Sequence, residues 1–261
     1  MNKPAAVFSR PLRVFITGAS SGLGAALARF YGSQGAQLGL AGRRLEGLQE
    51  TASGADARLY QADVRDAAAM QRTAEAYLKE VGAPDIVIAA AGISVGTLTE
   101  EAADVPVFRA VMDANVLGLL HTFQPFIAAM QSSGGVLCAI SSVAGVRGLP
   151  GGGAYSASKA AATIYLEALR LELKARGIAV VTVAPGYIDT PMTQVNPYAM
   201  PFKMTAQAAA AKVARCIALR RAYTVIPWQM AWVARMLKCL PNPVYDLLFE
   251  KAPRKPRGLP T

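Results

Sequence analysis

Tyr155 and Lys159 stand four residues apart in Tyr155-Ser156-Ala157-Ser158-Lys159, a spacing that puts both side chains on one helix face about a turn apart. A phenol is a poor acid or base at neutral pH, its unperturbed pKa being about 10, but an adjacent ammonium stabilises the phenolate and lowers that value. The pair is therefore a candidate general acid/base. Ser142, in Ile140-Ser141-Ser142-Val143 just upstream, would enter the same crevice from a strand end and hydrogen-bond a reacting carbonyl oxygen. Taken alone, Tyr-x3-Lys is equally the surface of an amphipathic helix, so its context must decide.

That context begins near the N-terminus. Thr17-Gly18-Ala19-Ser20-Ser21-Gly22-Leu23-Gly24 follows an apolar run and opens into the amphipathic stretch 25–31. A strand that delivers a helix N-terminus in this way offers unpaired N–H groups and a helix dipole to an anion, and glycine lets a pyrophosphate approach the backbone. The spacing is Gly-x3-Gly-x-Gly rather than G-x-G-x-x-G, and the same glycines would serve a merely tight turn. About 20 residues on, where an acid would hold a free ribose 2′-hydroxyl, the chain reads Gly42-Arg43-Arg44. Guanidinium groups there suit a 2′-phosphate, which favours NADP over NAD, although Glu46 could pair with them in a solvated first helical turn. Asp63-Val64 falls where a carboxylate could accept from an adenine amine or cap a helix.

Segments must exist to hold these residues together. Seven short apolar runs, at 12–17, 36–41, 58–61, 85–90, 135–140, 178–184 and 222–226, are mostly continuous rather than alternating, as expected of strands buried on both faces of a parallel sheet. Helical patterns at 22–33, 44–53, 67–81, within 105–131, 153–176 and 205–221 separate them. Strand and helix in alternation predict a doubly wound, seven-stranded α/β sheet with helices on both faces and a C-terminal helical appendage. Residues 1–200 are expected to form the dinucleotide-binding and catalytic core. Residues 201–261 are expected to complete that domain, then add an apolar and basic helical extension and a disordered basic tail.

Over roughly residues 10 to 195 the sequence resembles the short-chain dehydrogenase/reductase family, through the Thr17-Gly18-x3-Gly22-x-Gly24 turn, Asp63, Asn115 in Asp113-Ala114-Asn115-Val116, Ser142, Tyr155, Lys159, Pro185-Gly186 and Thr190. The resemblance implies a nicotinamide-dependent oxidoreductase. Tyr155 would exchange a proton with the substrate oxygen, Lys159 would hold the nicotinamide ribose while tuning the tyrosine, and Ser142 would orient the carbonyl. Asn115 would organise a water relay behind Lys159, and Thr190 would contact the nicotinamide end. Further coenzyme contacts are implied at Ser20, Ser21, Leu23, Ala91, Gly92 and Ile188. One departure stands out: Ala89-Ala90-Ala91-Gly92 replaces the family's Asn-Asn-Ala-Gly, removing asparagines that knit neighbouring strands near the adenine side.

The composition fits a folded chain of 261 residues, with 53% hydrophobic and 17% charged residues, and argues against disorder. Cys138, Cys216 and Cys239 show no disulfide or zinc spacing, so a reducing compartment and no metal are expected. The N-terminus has no secretory pattern. The lone histidine, His121, reads as core or subunit interface. The formal charge of +10 is uneven: residues 1–200 hold 16 basic and 15 acidic side chains, whereas 201–261 hold 11 and 2. A cytoplasmic protein is expected, with peripheral membrane contact through the basic end left open.

In the stretch 187–204, Met192, Val195, Tyr198, Met200, Phe202 and Met204 suggest an apolar, adaptable lid over a hydrophobic carbonyl or alcohol substrate; an ordinary lid packing on its own core would read alike. Arg147 is a candidate clamp for an acidic group or a solvated side chain. The leading reading is an NADPH-dependent reductase of a hydrophobic ketone or aldehyde. The alternatives are a 3-oxoacyl carrier-protein-type reductase and a non-catalytic nucleotide-sensing or membrane-surface protein. The family resemblance implies a homodimer or homotetramer, and nucleic acid is not an expected partner. The segment 226–240, with Trp228 and Trp232, either lies at a membrane interface or packs over the cleft or a partner subunit.

Overall fold

The computed structural model describes residues 10–258; the expectations for the extreme N-terminus and for 259–261 fall outside them. The chain runs β1 (Arg13–Thr17), α1 (Gly22–Gly32), β2 (Gln37–Gly42), α2 (Leu45–Ala52), β3 (Ala57–Gln61), α3 (Ala67–Glu80), β4 (Ile86–Ala89), α4 (Val105–Met112), α5 (Gly118–Met130), β5 (Gly135–Ile140) and α6 (Gly153–Glu172). It continues through β6 (Ile178–Pro185), β7 (Ile188–Asp189), α7 (Pro191–Gln194), β8 (Met204–Thr205), α8 (Ala206–Ala218), β9 (Tyr223–Ile226), α9 (Trp228–Cys239) and α10 (Asn242–Phe249). The seven expected strands form one parallel sheet in the order β3-β2-β1-β4-β5-β6-β9.

The continuous apolar strands have the consequence that the pattern demands. Val14, Ile16, Leu38 and Leu40 point into one core with α1, α2 and α8, while Phe15, Val87, Leu137 and Val180 point into a second with α3, α5 and α6. Phe15, Tyr77 and Phe126 meet there with ring centroids 4.7 to 5.8 Å apart, within the range of favourable aromatic pairs. From β1 the chain winds outward through β2 and β3, then returns to β4 on the other side of β1. Adjacent strands whose chains depart in opposite directions leave a crevice at their C-terminal ends. Thr17 and Ala89 end those two strands in register, so the glycine turn and Ala90-Ala91-Gly92 face each other across it.

Three features depart from the expectations. Between β6 and α8, β7 pairs in parallel with β8, giving the lid a two-stranded base too short to show periodicity. Asp113–Leu117 forms one π-helical turn between α4 and α5. The basic tail, expected to be disordered, instead returns to the core: the Gly96 amide donates to the Pro256 carbonyl at 2.8 Å, and the Arg257 guanidinium donates to Asp104 at 2.8 Å. Carboxylates far back in the chain supply the partners that the acid-poor tail lacks locally.

The C-terminal helices are held by Arg147, which neither clamps an acid nor lies free in solvent. Its guanidinium donates to the carbonyls of Leu237 and Leu240 at 3.0 and 2.7 Å and to Asn242 at 2.9 Å, and it stacks over the Tyr245 ring. Leu237 lies in the last turn of α9 and Leu240 caps it, where backbone carbonyls have no partner within the helix. The Tyr245 hydroxyl donates to the Gly148 carbonyl, fastening α10 to the same loop. Arg147→Ala should therefore raise the amide exchange rates of α9 and α10 about 10- to 100-fold, as loss of charge-assisted bonds worth about 1.5–3 kcal/mol requires, with the central strands little changed. Unaltered exchange in both helices would show the cap to be idle.

Candidate active site

The crevice is a cleft of about 420 Å³ running from Arg43 and Asp63 at one end to Ser142, Tyr155 and Lys159 at the other. Gly18, Ser20, Ser21, Gly22, Leu23 and Gly24 form its floor. Gly18 has φ +70°, and a Cβ there would lie 2.6 Å from the Ala91 nitrogen; one on Gly24 would lie 2.2 Å from the Gly18 carbonyl oxygen. Neither position has room for a side chain, and the tight turn holds the N-terminus of α1 against the cleft. Ser21 precedes that helix without making a side-chain cap, so its first amides remain available. An anionic, elongated ligand fits this floor.

At the ribose end Arg43 lines the cleft, whereas Arg44 lines an adjoining recess with Ser20, Ser21 and Glu46 and donates to the Ser20 carbonyl at 3.2 Å. Asp63 and Val64 also line the cleft, as does Arg65, which the sequence reasoning missed. Burial lifts the Asp63 carboxyl, but Arg65, gripping both its oxygens, more than offsets this and holds it below the ordinary carboxylate range. His121 turns its Nδ1 to the Val64 carbonyl at 2.8 Å, supporting this wall from behind.

The opposite wall consists of Ala91, Gly92, Pro185, Gly186, Ile188 and Thr190. Thr190 starts α7 in a reciprocal capping arrangement with Thr193, fixing the lid's first turn beside the cleft. Among the expected site residues, Asn115 alone lies behind the wall. The π-helical turn aims its side chain at Ile93, whose N–H and C=O it engages at 2.8 and 2.9 Å, and at Ser158, to which it donates at 2.9 Å. It makes no direct bond to Lys159.

Tyr155 and Lys159 share a face of α6, with the ammonium 5.8 Å from the ring centroid. Lys159 is 6% exposed and donates to the Ile140 carbonyl at 2.9 Å; burial pushes its pKa down to about 8. The expectation that this ammonium draws the phenol down is not met. Burial raises the Tyr155 pKa, with the Ser142 hydroxyl beside it pulling the other way, because desolvation opposes both phenolate and ammonium. Ser142 also accepts from the Ala144 amide at 3.1 Å, which orients its hydroxyl. A neutral phenol that carries a proton, next to a hydroxyl that can share it, suits donation to a carbonyl oxygen.

Residues 13–199 match the short chain dehydrogenase family model, and the chain belongs to the short-chain dehydrogenase/reductase family of NAD(P)-dependent oxidoreductases. A protein of Myxococcus xanthus described as an uncharacterized oxidoreductase is 37% identical over 237 residues, 88% of this chain and 93% of its own length. A short chain dehydrogenase from Burkholderia cenocepacia J2315, solved in complex with NADP, is 26% identical with a TM-score of 0.81 over 92% of this chain and 98% of that one. An alcohol dehydrogenase from the archaeon Thermococcus sibiricus, complexed with 5-hydroxy-NADP, shares the fold with a TM-score of 0.75 at 24% identity, over 83% and 96% of the two chains.

The buried lysine has a consequence for stability. Its folded pKa of about 8 lies below the usual value of 10.5, so between these values the unfolded chain binds the extra proton and stability rises with pH. Lys255, pushed down to about 8 in the same way, adds to the rise. Above about pH 10 the buried phenols of Tyr31 and Tyr77, raised by desolvation, reverse it, because the unfolded chain then loses protons that the folded chain keeps. Urea midpoints of the cofactor-free protein should climb from pH 8 to about pH 10, and Lys159→Met should climb less. An identical climb in the variant would exclude this contribution.

Proposed function

We propose that this protein is an NADPH-dependent reductase of a ketone or aldehyde with an apolar body, able to oxidise the corresponding alcohol in reverse. The convergence of Ser142, Tyr155 and Lys159 at one end of a glycine-floored cleft, with Arg43 and Arg44 at the other, carries this reading. A nicotinamide dinucleotide held in the cleft would supply the hydride for the carbonyl carbon. Ser142 orients the substrate oxygen, and the Tyr155 hydroxyl passes its proton to that oxygen as negative charge develops there. Lys159 would hold the ribose side of the coenzyme and keep positive charge near the phenolate until solvent restores the proton. Gly18, Gly22 and Gly24 with Ser20 and Ser21 would cradle the pyrophosphate, Asp63 and Val64 the adenine, and Gly186, Ile188 and Thr190 the nicotinamide end.

The apolar substrate is supported by the lid, where Met192, Val195 and Phe202 are 39%, 59% and 50% exposed and so offer uncovered hydrophobic surface beside Thr190. A homodimer or homotetramer is supported by exposed Val105, Phe108 and Leu117 along the α4–α5 segment and by Ile164 and Leu171 on α6, small apolar patches of the kind that a partner subunit covers. Trp228, Trp232 and Met236 fall at every fourth position of α9 and are all exposed, which supports contact of that helix with a membrane surface. No helix among the described residues is long and apolar enough to cross a membrane.

Tyr155→Phe keeps the ring and removes the proton, so turnover should fall about 10²- to 10⁴-fold while NADPH binding, read by its fluorescence, persists. Near-normal turnover would refute the assignment of Tyr155. At the other end of the cleft, Arg43→Glu exchanges a phosphate clamp for a repelling charge. The ratio of kcat/KM with NADPH to that with NADH should drop by at least about tenfold, and an unchanged ratio in a folded variant would separate Arg43 from coenzyme choice.

A further inference from the structure

Beyond α10 the chain forms a strap across the end of the site that lies away from the glycine turn. Pro256 accepts from the Gly96 amide, and residues 96 and 257 form an isolated parallel bridge. The approach is so close that a Cβ on Gly96 would lie 2.2 Å from the Lys255 carbonyl oxygen. Arg257 anchors the strap on Asp104 at 2.8 Å and Glu101 at 3.4 Å, and Asp104, itself 5% exposed, also accepts from the Leu98 amide. On the other flank Arg254 lies against Gly151, close to the start of α6.

Between these anchors the Lys255 side chain turns inward. Its ammonium donates to Ser94 Oγ at 2.7 Å and lies over the Tyr155 ring, 5.8 Å from the centroid. Neither Lys255 nor Ser94 lines the dinucleotide cleft, so this second lysine approaches the tyrosine from outside the coenzyme's walls. Among the described residues no carboxylate pairs with it. A half-buried ammonium has three donors, and one is spent on a neutral hydroxyl. Burial without a counter-charge is costly, as its lowered pKa of about 8 reflects, and an anion arriving beside it would recover that cost.

We propose that Lys255 is a specificity-determining residue that selects carbonyl substrates bearing a carboxylate a few bonds from the reacting carbonyl. This rests on the reductase reading above and narrows its substrate to an oxo acid with an apolar remainder. A carboxylate suits the site better than a phosphate, because one ammonium with two free donors and a serine hydroxyl matches a single negative charge. The carboxylate would lie against Lys255 and Ser94, the carbonyl would meet Tyr155 and Ser142, and the apolar remainder would extend under Met192 and Phe202.

The full chain and its Lys255→Met and Lys255→Arg variants test this with 2-oxo-4-phenylbutanoate and its ethyl ester, which share the reacting carbonyl and the phenylethyl body and differ at one end, a charged carboxylate against a neutral, slightly larger ester. For each protein, NADPH affinity is measured first by fluorescence, then quenching of the NADPH complex by acid and ester, then kcat/KM for both. The wild type should favour the acid, the Lys255→Met variant should lose about 10- to 100-fold of that preference, chiefly through KM and the binding constant, and Lys255→Arg should restore most of it. A wild type without acid preference in binding and turnover, or a Lys255→Met variant that keeps it, overturns the proposal. So does a Lys255→Met variant that accelerates acid and ester alike, which would make the strap an obstruction rather than a selector. Failure of the reductase reading shows separately, as absent NADPH binding or as NADPH binding with acid recognition and no turnover of either compound.

Discussion

Three hydrogen bonds converge on the side chain of Asn115, and the geometry of the whole catalytic end follows from them. Its carboxamide satisfies both backbone groups of Ile93, the first residue beyond Gly92, and donates to Ser158 next to Lys159. Ser158 in turn donates to the Tyr155 carbonyl. One buried amide therefore ties the loop after β4 to the helix that carries the proton-handling residues. Only the π-helical turn, with its extra residue, aims the side chain inward, as π-bulges at functional sites tend to do. The same loop carries Ser94 and Gly96, so the position of the C-terminal strap depends on that amide too.

Desolvation sets the protonation of the site more than any neighbouring charge does. Burial raises the Tyr155 phenol and lowers the Lys159 ammonium, and the ammonium lies over the ring at 5.8 Å from its centroid. Proximity at four-residue spacing was a sound guide to which side chains meet, but the sign of a pKa shift depends on what water has been excluded, and no local window of sequence records that. The Ile140 carbonyl that receives Lys159 compensates part of the cost and fixes the direction of the side chain.

Legibility in the sequence follows the range of the interaction concerned. Strands such as 135–140 and helices such as 67–81 could be read nearly to the residue, because burial on two faces or one stripe imposes its own period. The glycine turn, Asp63 and the Tyr155 segment were equally visible, being local spacings that a single backbone geometry requires. The two-residue pair Ile188–Asp189 and Met204–Thr205 was not, since no period exists over two residues. Arg65 was passed over because a side chain two positions from Asp63 gives no pattern, only an ion pair once the loop is folded. Arg147 was misread because its partners lie about 90 residues on, at a helix end whose orphan carbonyls become apparent only when that helix is placed.

The basic end of the chain illustrates how a composition statistic dissolves into separate interactions. An excess of cations over 201–261 suggests one anionic partner, yet the structure divides them. Arg257 turns to Asp104 and Glu101, Lys255 turns to Ser94 and Tyr155, and Arg235 lies 5.6 Å over the Trp232 ring. Each cation near an anionic membrane contributes about 1 kcal/mol, so two fewer among the tail residues weaken surface attraction by about 2 kcal/mol. What remains on the helix of Trp228, Trp232 and Met236 itself is Arg235 and Lys238. A membrane contact made there would combine the two tryptophans with about 2 kcal/mol from these two cations, and would weaken with added salt.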